Sequence, residues 1–340
     1  MESQSPESQL ILPLRAEMKL DTKVIKQLND WGRKKVPFGF LIDYKGEKPV
    51  VFTLTRPDKN IFWSIPGHCR FKKNKEKKQL LNWETGPIDF SEYKQRFERV
   101  QQAIHDGNTY LLNLTQPTVV ETNLTLEEIF YSSSALYKIF YRNNFVCFSP
   151  ETFIKIRGNK IYSYPMKGTI DDSVENAGFQ IIEDTKEIAE HNTIVDLIRN
   201  DLSLVAENVS VEKFRFLSQI KTSNRNLWQV SSEISGNLPE NYAENIGDIL
   251  SLILPAGSVT GAPKKKTLQI IDETENYDRG FYTGIFGIFD GTNLDSCVLI
   301  RYIEIDNGKL IYKSGGGITF LSNAEKEYDE MLKKVYVPII

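Results

Sequence analysis

Residues 153–165 read FIKIRGNKIYSYP, two runs rich in β-branched and aromatic residues on either side of a Gly-Asn pair. Such runs are typical of strands, and a two-residue connection containing glycine and asparagine is typical of a tight β-hairpin. The pattern recurs near the carboxyl end, where 297–305 (CVLIRYIEI) and 309–315 (KLIYKSG) flank an Asp-Asn-Gly turn. Since a hairpin joins antiparallel neighbours, the sheets are predicted to be largely antiparallel.

Helical periodicity lies between these strands. Apolar residues at helical spacing predict helices over 91–106, 124–137, 184–203, 263–274 and 322–335, and further strands are predicted at 38–44, 49–55, 109–115, 145–149 and 284–291. Strands punctuated by single helices indicate an α+β protein with its helices outside antiparallel sheets, and one large mixed domain.

Composition limits the classes of function. The chain has 340 residues, 40% of them hydrophobic, and a formal net charge of -3, which is typical of a soluble globular protein and gives no electrostatic footprint for nucleic acid. The basic clusters at 72–78 and 264–266 are short enough to be solvated faces. No run approaches the roughly 20 apolar residues of a membrane-spanning helix, and the amino terminus lacks a signal-peptide pattern. We therefore expect a cytoplasmic protein without a membrane or nucleic-acid partner.

Two predicted helices each carry a pair of glutamates three residues apart: Glu187 and Glu190, then Glu327 and Glu330. Residues at this spacing share one helix face. If the two faces meet, four carboxylates form an oxygen-rich set suited to Mg²⁺. The alternative is that they are exposed glutamates on charged helices, which is the commoner case for any single pair.

Two glycine-containing segments are suited to binding an anion. In 255–266 (PAGSVTGAPKKK), a turn leads into a helix at Pro263, so that Ser258, Thr260 and the N–H groups around Gly261 can face an anion. In 313–319 (KSGGGIT), three glycines after a strand can form a backbone nest, and each segment alone can equally be an ordinary turn. Arg301 is expected within the strand 297–305. Its planar guanidinium group has a fixed arrangement of N–H donors that is suited to binding a carboxylate.

Six motifs in order, YPMKGT, KEIAEHNTIVDLIRNDL, LPAGSVTGAPKKKTLQIIDE, GFYTGIFG, SGGGIT and AEKEYDEMLKK, resemble those of the chorismate-utilising enzymes. That family includes component I of anthranilate synthase and of aminodeoxychorismate synthase, and the isochorismate and salicylate synthases. The resemblance covers about 90–340, the chorismate-binding catalytic region, whereas 1–89 is the weakly matched beginning of the same fold. It implies two antiparallel sheets packed as a sandwich, helices outside, and an active site between them.

The resemblance also implies roles for individual residues. Mg²⁺ would bind Glu187, Glu190, Glu327 and Glu330. The carboxylates of chorismate would be bound by Tyr282, Arg301, Gly315, Gly316, Gly317 and Lys334, with Thr260 and Gly261 lining the same pocket.

Lys167 decides the subfamily. PMKGT resembles the PIKGT of aminodeoxychorismate synthases and not the PIAGT of anthranilate synthases. The implied chemistry is addition of the Lys167 amine at ring carbon 2 as the carbon 4 hydroxyl leaves, followed by ammonia at carbon 4. An ordinary lysine has a pKa of about 10.4, so the site is expected to lower it. Glu151, in FSPETF, resembles the family's SPExF carboxylate and is the candidate general acid.

Two further positions bear on the subfamily. Isochorismate and salicylate synthases carry a base lysine in the strand where this chain has Leu111, and leucine cannot activate water. Many relatives have a histidine where this chain has Gln229, which cannot shuttle a proton.

The predicted function is therefore component I of aminodeoxychorismate synthase, on the route to 4-aminobenzoate and folate. No cysteine lies on a glycine-rich nucleophile turn, so ammonia is expected from a separate glutamine amidotransferase subunit in a transient heterodimer. The alternatives are an anthranilate synthase component, against which Lys167 speaks, and a non-catalytic relative that only binds the amidotransferase.

Overall fold

The computed structural model describes residues 20–71, 81–221 and 226–339. Within these ranges the helices are α1 (Thr22–Arg33), α2 (Phe90–His105), α3 (Leu126–Ser132), α4 (Ala177–Glu183), α5 (Thr185–Ser203), α6 (Ile246–Ile253), α7 (Lys264–Glu275) and α8 (Ala324–Lys333). The basic cluster at 72–78 and the polar start of the chain lie outside the described residues.

The strands belong to two sheets. The first contains β1 (Phe38–Ile42), β2 (Val50–Thr53), β9 (Thr152–Arg157), β10 (Lys160–Ser163), β11 (Met166–Asp171), β12 (Glu207–Lys221), β13 (Asn226–Asn237), β15 (Ile285–Phe289) and β16 (Leu294–Val298). The second contains β3 (Ile61–Ile65), β4 (His68–Cys69), β5 (Trp83–Gly86), β6 (Leu111–Thr122), β7 (Tyr137–Tyr141), β8 (Phe145–Ser149), β14 (Gly261–Ala262), β17 (Tyr302–Asp306) and β18 (Lys309–Thr319). The strand orders are 11-13-10-9-16-15-1-2, with β12 beside β13, and 14-6-18-17-8-7-3-4, with β5 beside β6.

The two sheets pack face to face with helices outside. One apolar cluster joins them, including Leu41 and Phe286 of the first sheet and Trp63 and Phe145 of the second, and the Trp63 and Phe286 ring centroids are 5.8 Å apart. Helices α1, α5 and α6 pack on the outer face of the first sheet, and α2, α7 and α8 on the second. Burying both faces of each sheet is the arrangement that a four-layer sandwich requires.

The predicted antiparallel sandwich is confirmed, and both predicted hairpins are present. Strands β9 and β10 pair around the Gly158-Asn159 turn, and β17 and β18 pair around Asp306–Gly308. The prediction of one strand over 297–305 is wrong. The chain leaves the first sheet after Val298 and enters the second at Tyr302, so 299–301 form a crossover between the sheets. Apolar residues continue through the crossover because it is buried, which hides it from a pattern of hydrophobicity.

Several boundaries also differ from the prediction. The helix expected over 124–137 ends at Ser132, because the chain then turns into β7. Helices α1, α4 and α6 were not predicted. Lys264 is not on a solvated face, since it pairs with Asp201 at 2.7 Å. No helix in the described part of the chain is long and apolar enough to cross a membrane.

Candidate active site

A cavity of about 590 Å³ lies between the ends of strands from both sheets and helices α5 and α8. Strand β11 and helix α5 form one wall, and β6 and β18 form the opposite wall. Twelve of the fourteen residues predicted from the family resemblance line it: Glu151, Lys167, Glu187, Thr260, Gly261, Tyr282, Arg301, Gly315, Gly316, Gly317, Glu330 and Lys334. The remaining two, Glu190 and Glu327, are buried beside it.

Lys167 enters this cavity from an irregularity in β11. The register of β11 with β13 shifts between Met166 and Thr169, which leaves Lys167 and Gly168 in a bulge. Gly168 has φ +81°, a left-handed conformation that glycine adopts without strain. A bulge changes the direction of the side chains it carries, and a Cβ built on Gly317 of the opposite sheet would lie 3.9 Å from Lys167 Nζ.

The ammonium of Lys167 is paired with carboxylates. Its Nζ lies 2.5 Å from Glu190 Oε2, and the Glu190 side chain is only 2% exposed. Burial alone would lower the pKa of Lys167, but the charges of Glu190, Glu330 and Glu187 raise it above the ordinary lysine value. The expectation of a lowered pKa is therefore wrong for this arrangement of the site. Lys167 is a cation here because its nearest neighbours are anions.

The four glutamates surround the cavity in two pairs. Glu187 Oε2 is buried and has no hydrogen-bond partner among the described residues, and burial raises the pKa of Glu187. Glu330 pairs with Lys334 at 2.8 Å, while Glu327 Oε1 accepts a hydrogen bond from Ser322.

This donor set has the chemistry that Mg²⁺ prefers, namely carboxylate oxygens at a cavity wall. Within the described ranges, however, no three acidic, histidine or cysteine side chains are already gathered as a metal site. Two lysine ammonium groups are bound to two of the carboxylates instead. The four residues fit a divalent cation by type.

Glu151 immediately precedes β9 and contacts the loop before α7. Ser258 Oγ donates a hydrogen bond to Glu151 Oε1. Burial raises the pKa of Glu151, while this hydrogen bond and the charges of Arg301, Lys167 and Lys334 oppose the rise. A carboxyl group with a raised pKa beside a cavity is suited to acid–base chemistry.

The three glycines of β18 let the chain approach its neighbours closely. A Cβ on Gly315 would lie 2.4 Å from the Leu114 carbonyl oxygen of β6, whereas one on Gly316 would face Lys334 Nζ at 3.6 Å. Lys334 Nζ donates to the Gly315 carbonyl at 2.8 Å. The N-terminal loop of α7 is equally tight, because a Cβ on Gly261 would lie 1.9 Å from the Leu111 carbonyl oxygen.

Thr260 differs from its expected role in one respect. Its hydroxyl donates to the Ala256 carbonyl at 2.8 Å, within its own loop. Lys264, at the start of α7, pairs with Asp201 and does not line the cavity. The loop therefore contributes its backbone and Ser258 to the cavity, as the sequence predicted, without the helix terminus.

Arg301 lies in the crossover between the sheets and not in a strand. It has φ +55°, an uncommon conformation for a residue with a side chain. Its guanidinium lies 5.4 Å from the centre of the Tyr336 ring, and its Nε is buried without a hydrogen-bond partner in the described ranges. Ser314 Oγ and Glu187 Oε2 are likewise buried without a hydrogen-bond partner in the described ranges, and all three residues line the cavity. Unsatisfied buried donors and acceptors on one cavity indicate a site for a polar ligand.

The cavity lining also includes Leu111, Gln229 and Tyr282, which the sequence analysis discussed, and Tyr336, which it missed. Leu111 and Gln229 both line the cavity, as expected from their strands, and Gln229 Nε2 donates to Ser231 at 3.3 Å. Tyr282 is 3% exposed, and burial raises its pKa. Tyr336 was missed, because nothing in the local sequence after α8 shows that its ring reaches Arg301.

The comparisons with known proteins identify the family. The family model for chorismate binding enzymes matches residues 59–339. The chain therefore belongs to the chorismate-binding enzyme family. Within that family it resembles the aminodeoxychorismate synthases: it is 30% identical over 263 residues to component 1 of the Bacillus subtilis enzyme, covering 74% of this chain and 55% of the relative.

Two other relatives show the range of the family. A Haemophilus influenzae protein described as an uncharacterized PabA-like protein is 50% identical over 318 residues, covering 93% of this chain and 96% of that one. Component 1 of the Acetivibrio thermocellus anthranilate synthase is 31% identical over 291 residues, 80% of this chain and 56% of the relative. The chain thus spans just over half the length of these two synthase components.

Solved structures confirm the fold. The chain superposes on anthranilate synthase component I of Streptococcus pneumoniae with a TM-score of 0.64 and 25% identity, over 75% of this chain and 58% of that one. It superposes on the menaquinone-specific isochorismate synthase of Escherichia coli with a TM-score of 0.67 and 16% identity, over 92% and 79%.

Proposed function

We propose that this chain is the chorismate-converting component of an aminodeoxychorismate synthase, which forms 4-amino-4-deoxychorismate and water from chorismate and ammonia. The observation that carries the proposal is the position of Lys167. A primary amine stands in a bulge of β11 and lines the cavity, where it offers a covalent step that an alanine could not provide.

In the proposed reaction the Lys167 ammonium first releases a proton to solvent, which the amine regains at the end of the cycle. The neutral amine forms a bond to ring carbon 2, the ring double bonds shift, and the carbon 4–oxygen bond breaks. Glu151 gives its proton to the departing hydroxyl, which leaves as water. Ammonia then bonds to carbon 4, the double bonds shift back, and the bond from carbon 2 to Lys167 breaks. The incoming nitrogen returns a proton to Glu151, and the enolpyruvyl group stays in place.

The substrate is a dianion, and the cavity has complementary groups. Arg301 and Lys334 are cations on its wall, and Arg301 Nε and Ser314 Oγ are free to bind carboxylate oxygens. Mg²⁺ on Glu187, Glu190, Glu327 and Glu330 would supply positive charge for a substrate carboxylate and would weaken the attraction of these glutamates for the Lys167 ammonium. The chain's own residues then orient the ring between β11 and β18.

Leu111 supports ammonia over water as the nucleophile. It is 2% exposed and lines the cavity, and an alkyl side chain cannot take a proton from water. We propose that the ammonia comes from a separate glutamine amidotransferase subunit. Adding such a subunit should let glutamine replace ammonium salts in the reaction.

The test is to identify the product. Purified chain is incubated with chorismate, Mg²⁺ and an ammonium salt near pH 8.5, and products are separated and identified by mass spectrometry and fluorescence. Aminodeoxychorismate with its enolpyruvyl group retained is the expected result. Fluorescent anthranilate with pyruvate would instead assign the chain to the anthranilate synthases, and absence of Mg²⁺ and chorismate binding in calorimetry would favour a non-catalytic relative.

A further inference from the structure

A second, smaller cavity lies behind Glu151. It measures about 20 Å³, and its polar lining side chains are those of Glu151, Thr152, Ser163, Asp201 and Ser258, with Gly257 and apolar side chains completing the wall. Glu151 and Ser258 also line the large cavity, so these two residues form the wall between the two spaces. A volume above roughly 10–15 Å³ can hold one water when polar partners are present, and five polar side chains border this one.

Asp201 forms the far side of the small cavity. It lies near the end of α5, and its Oδ1 is 2.7 Å from Lys264 Nζ at the start of α7. Both side chains are 13% exposed, so solvent reaches part of this pair, and Asp201 also lines the small cavity. A Cβ on Gly257 would be 2.8 Å from Asp201 Oδ2, and the glycine therefore lets the carboxylate reach the loop that carries Ser258.

Neither Asp201 nor Lys264 has a role in the chemistry described above. Burial raises the pKa of Asp201 and lowers the pKa of Lys264, and each partner opposes the shift of the other. Burial thus favours the neutral form of both groups, while each charge favours the charged form of its partner. The charged groups that act on Glu151, namely Arg301, Lys167 and Lys334, lie on the side of the large cavity.

We propose that Ser258, one water in the small cavity and the Asp201–Lys264 pair form a proton path to the back of Glu151. The inference rests on the proposed function, because it concerns the acid that protonates the leaving hydroxyl. A bound substrate covers the side of Glu151 that faces the large cavity. The path connects its other side, which faces the small cavity, to solvent. Before the hydroxyl leaves, the water gives a proton to Ser258 Oγ as the hydroxyl proton of Ser258 moves to Glu151, and the Asp201–Lys264 pair replaces the proton of the water from solvent. The proton that the incoming nitrogen later gives to Glu151 leaves along the same path in the opposite direction, so that the cycle neither gains nor loses a proton.

The kinetic test compares two double variants. Asp201→Asn/Lys264→Met removes the path but leaves no unpaired charge, and Asp196→Asn/Lys265→Met is the control on exposed positions of the same two helices. We expect the first variant to lose about tenfold to a hundredfold in kcat, with the KM for chorismate within a factor of two and a larger solvent deuterium isotope effect on kcat. Both variants should have the wild-type circular dichroism spectrum.

Two results would overturn the proton path. One is a kcat and isotope effect equal to those of the control variant, and the other is a loss of kcat without any change in the isotope effect, which a purely structural role would produce. The proposed function can fail separately: if the wild type makes anthranilate, the carbon 4 hydroxyl still leaves and the same comparison applies.

A second measurement does not depend on turnover. A high-resolution crystal structure of the wild-type chain should show an ordered water within hydrogen-bond distance of Asp201 and of Ser258 or Glu151. A dry cavity would refute the path whatever product the enzyme makes.

Discussion

Two buried ion pairs of nearly equal length have different surroundings. Arg279 and Glu275 are 2.6 Å apart and each is 1% exposed. Lys167 and Glu190 are 2.5 Å apart, but the lysine is 17% exposed and borders the large cavity. The N–O distance therefore does not distinguish the two ion pairs. They differ in whether the other polar atoms around them have hydrogen-bond partners.

Arg279 is surrounded by acceptors. Its guanidinium donates to Glu275, to the Val259 carbonyl at 2.8 Å and to the Asn113 carbonyl at 2.7 Å, and Thr115 N donates to Glu275 at 2.8 Å. Val259 and Asn113 line the cavity on two different segments, so Arg279 ties them together from behind. Near Lys167, by contrast, Glu187 Oε2 is left without a partner in the described structure. A saturated network belongs to the scaffold, and an unsaturated one is available for a ligand.

The largest effect is expected from Lys167→Ala. It removes the proposed nucleophile, so ammonia-dependent product formation should fall on the order of a thousandfold or more, while chorismate binding persists. The measurement is product formation by mass spectrometry with chorismate binding by calorimetry. Lys333→Ala, an exposed lysine at the same cavity, is the control, and unchanged turnover in Lys167→Ala would remove the covalent role.

Arg279→Met should affect stability more than any change at Lys167. It leaves Glu275 charged and buried, and breaking such a pair costs about 3–5 kcal/mol. Equilibrium denaturant unfolding at pH 8 measures the loss. The double variant Arg279→Met/Glu275→Gln, which keeps an acceptor for Thr115, should recover most of it. A larger loss of unfolding free energy in Lys167→Ala than in Arg279→Met would contradict the distinction between scaffold and site.

Adjacent glycines of β18 offer a sharper version of the same comparison. Gly315→Ala places a Cβ against the backbone of β6, and overpacking of this kind typically costs about 1–3 kcal/mol. Gly316→Ala meets only ordinary contacts at the cavity, so its unfolding free energy should stay near the wild-type value while the KM for chorismate rises. Denaturant unfolding and steady-state kinetics of both variants test this, and equal stability of the two would refute it.

The smallest effect is expected for Glu330→Gln. Loss of one carboxylate charge should weaken Mg²⁺ binding on the order of tenfold, which corresponds to about 1.4 kcal/mol. Calorimetric titration with Mg²⁺ measures the change, and Glu325→Gln on the exposed face of α8 is its control. An unaltered titration would rule out Glu330 as a ligand.

The fold was largely predictable because its signals are local. The hairpin around Gly158 and the glutamate pairs of α5 and α8 follow from spacing alone, and the ordered motifs identified the family. The amphipathic helix α1 and the crossover at 299–301 were missed. Burial on both sides of the crossover produces the same run of apolar residues as a strand, so composition could not separate the two.

The sequence by itself determined which chemical groups this protein can use: an amine at position 167, a carboxyl at 151 and four glutamates at helical spacing. Only the tertiary structure decided the pKa values and the hydrogen-bond partners of these groups. The raised pKa of Lys167 depends on helices α5 and α8, and the bond from Ser258 to Glu151 joins residues 107 positions apart. Local periodicity carries no information on such contacts, since charge and hydrogen bonding act through space, and the packing of the two sheets sets the distances.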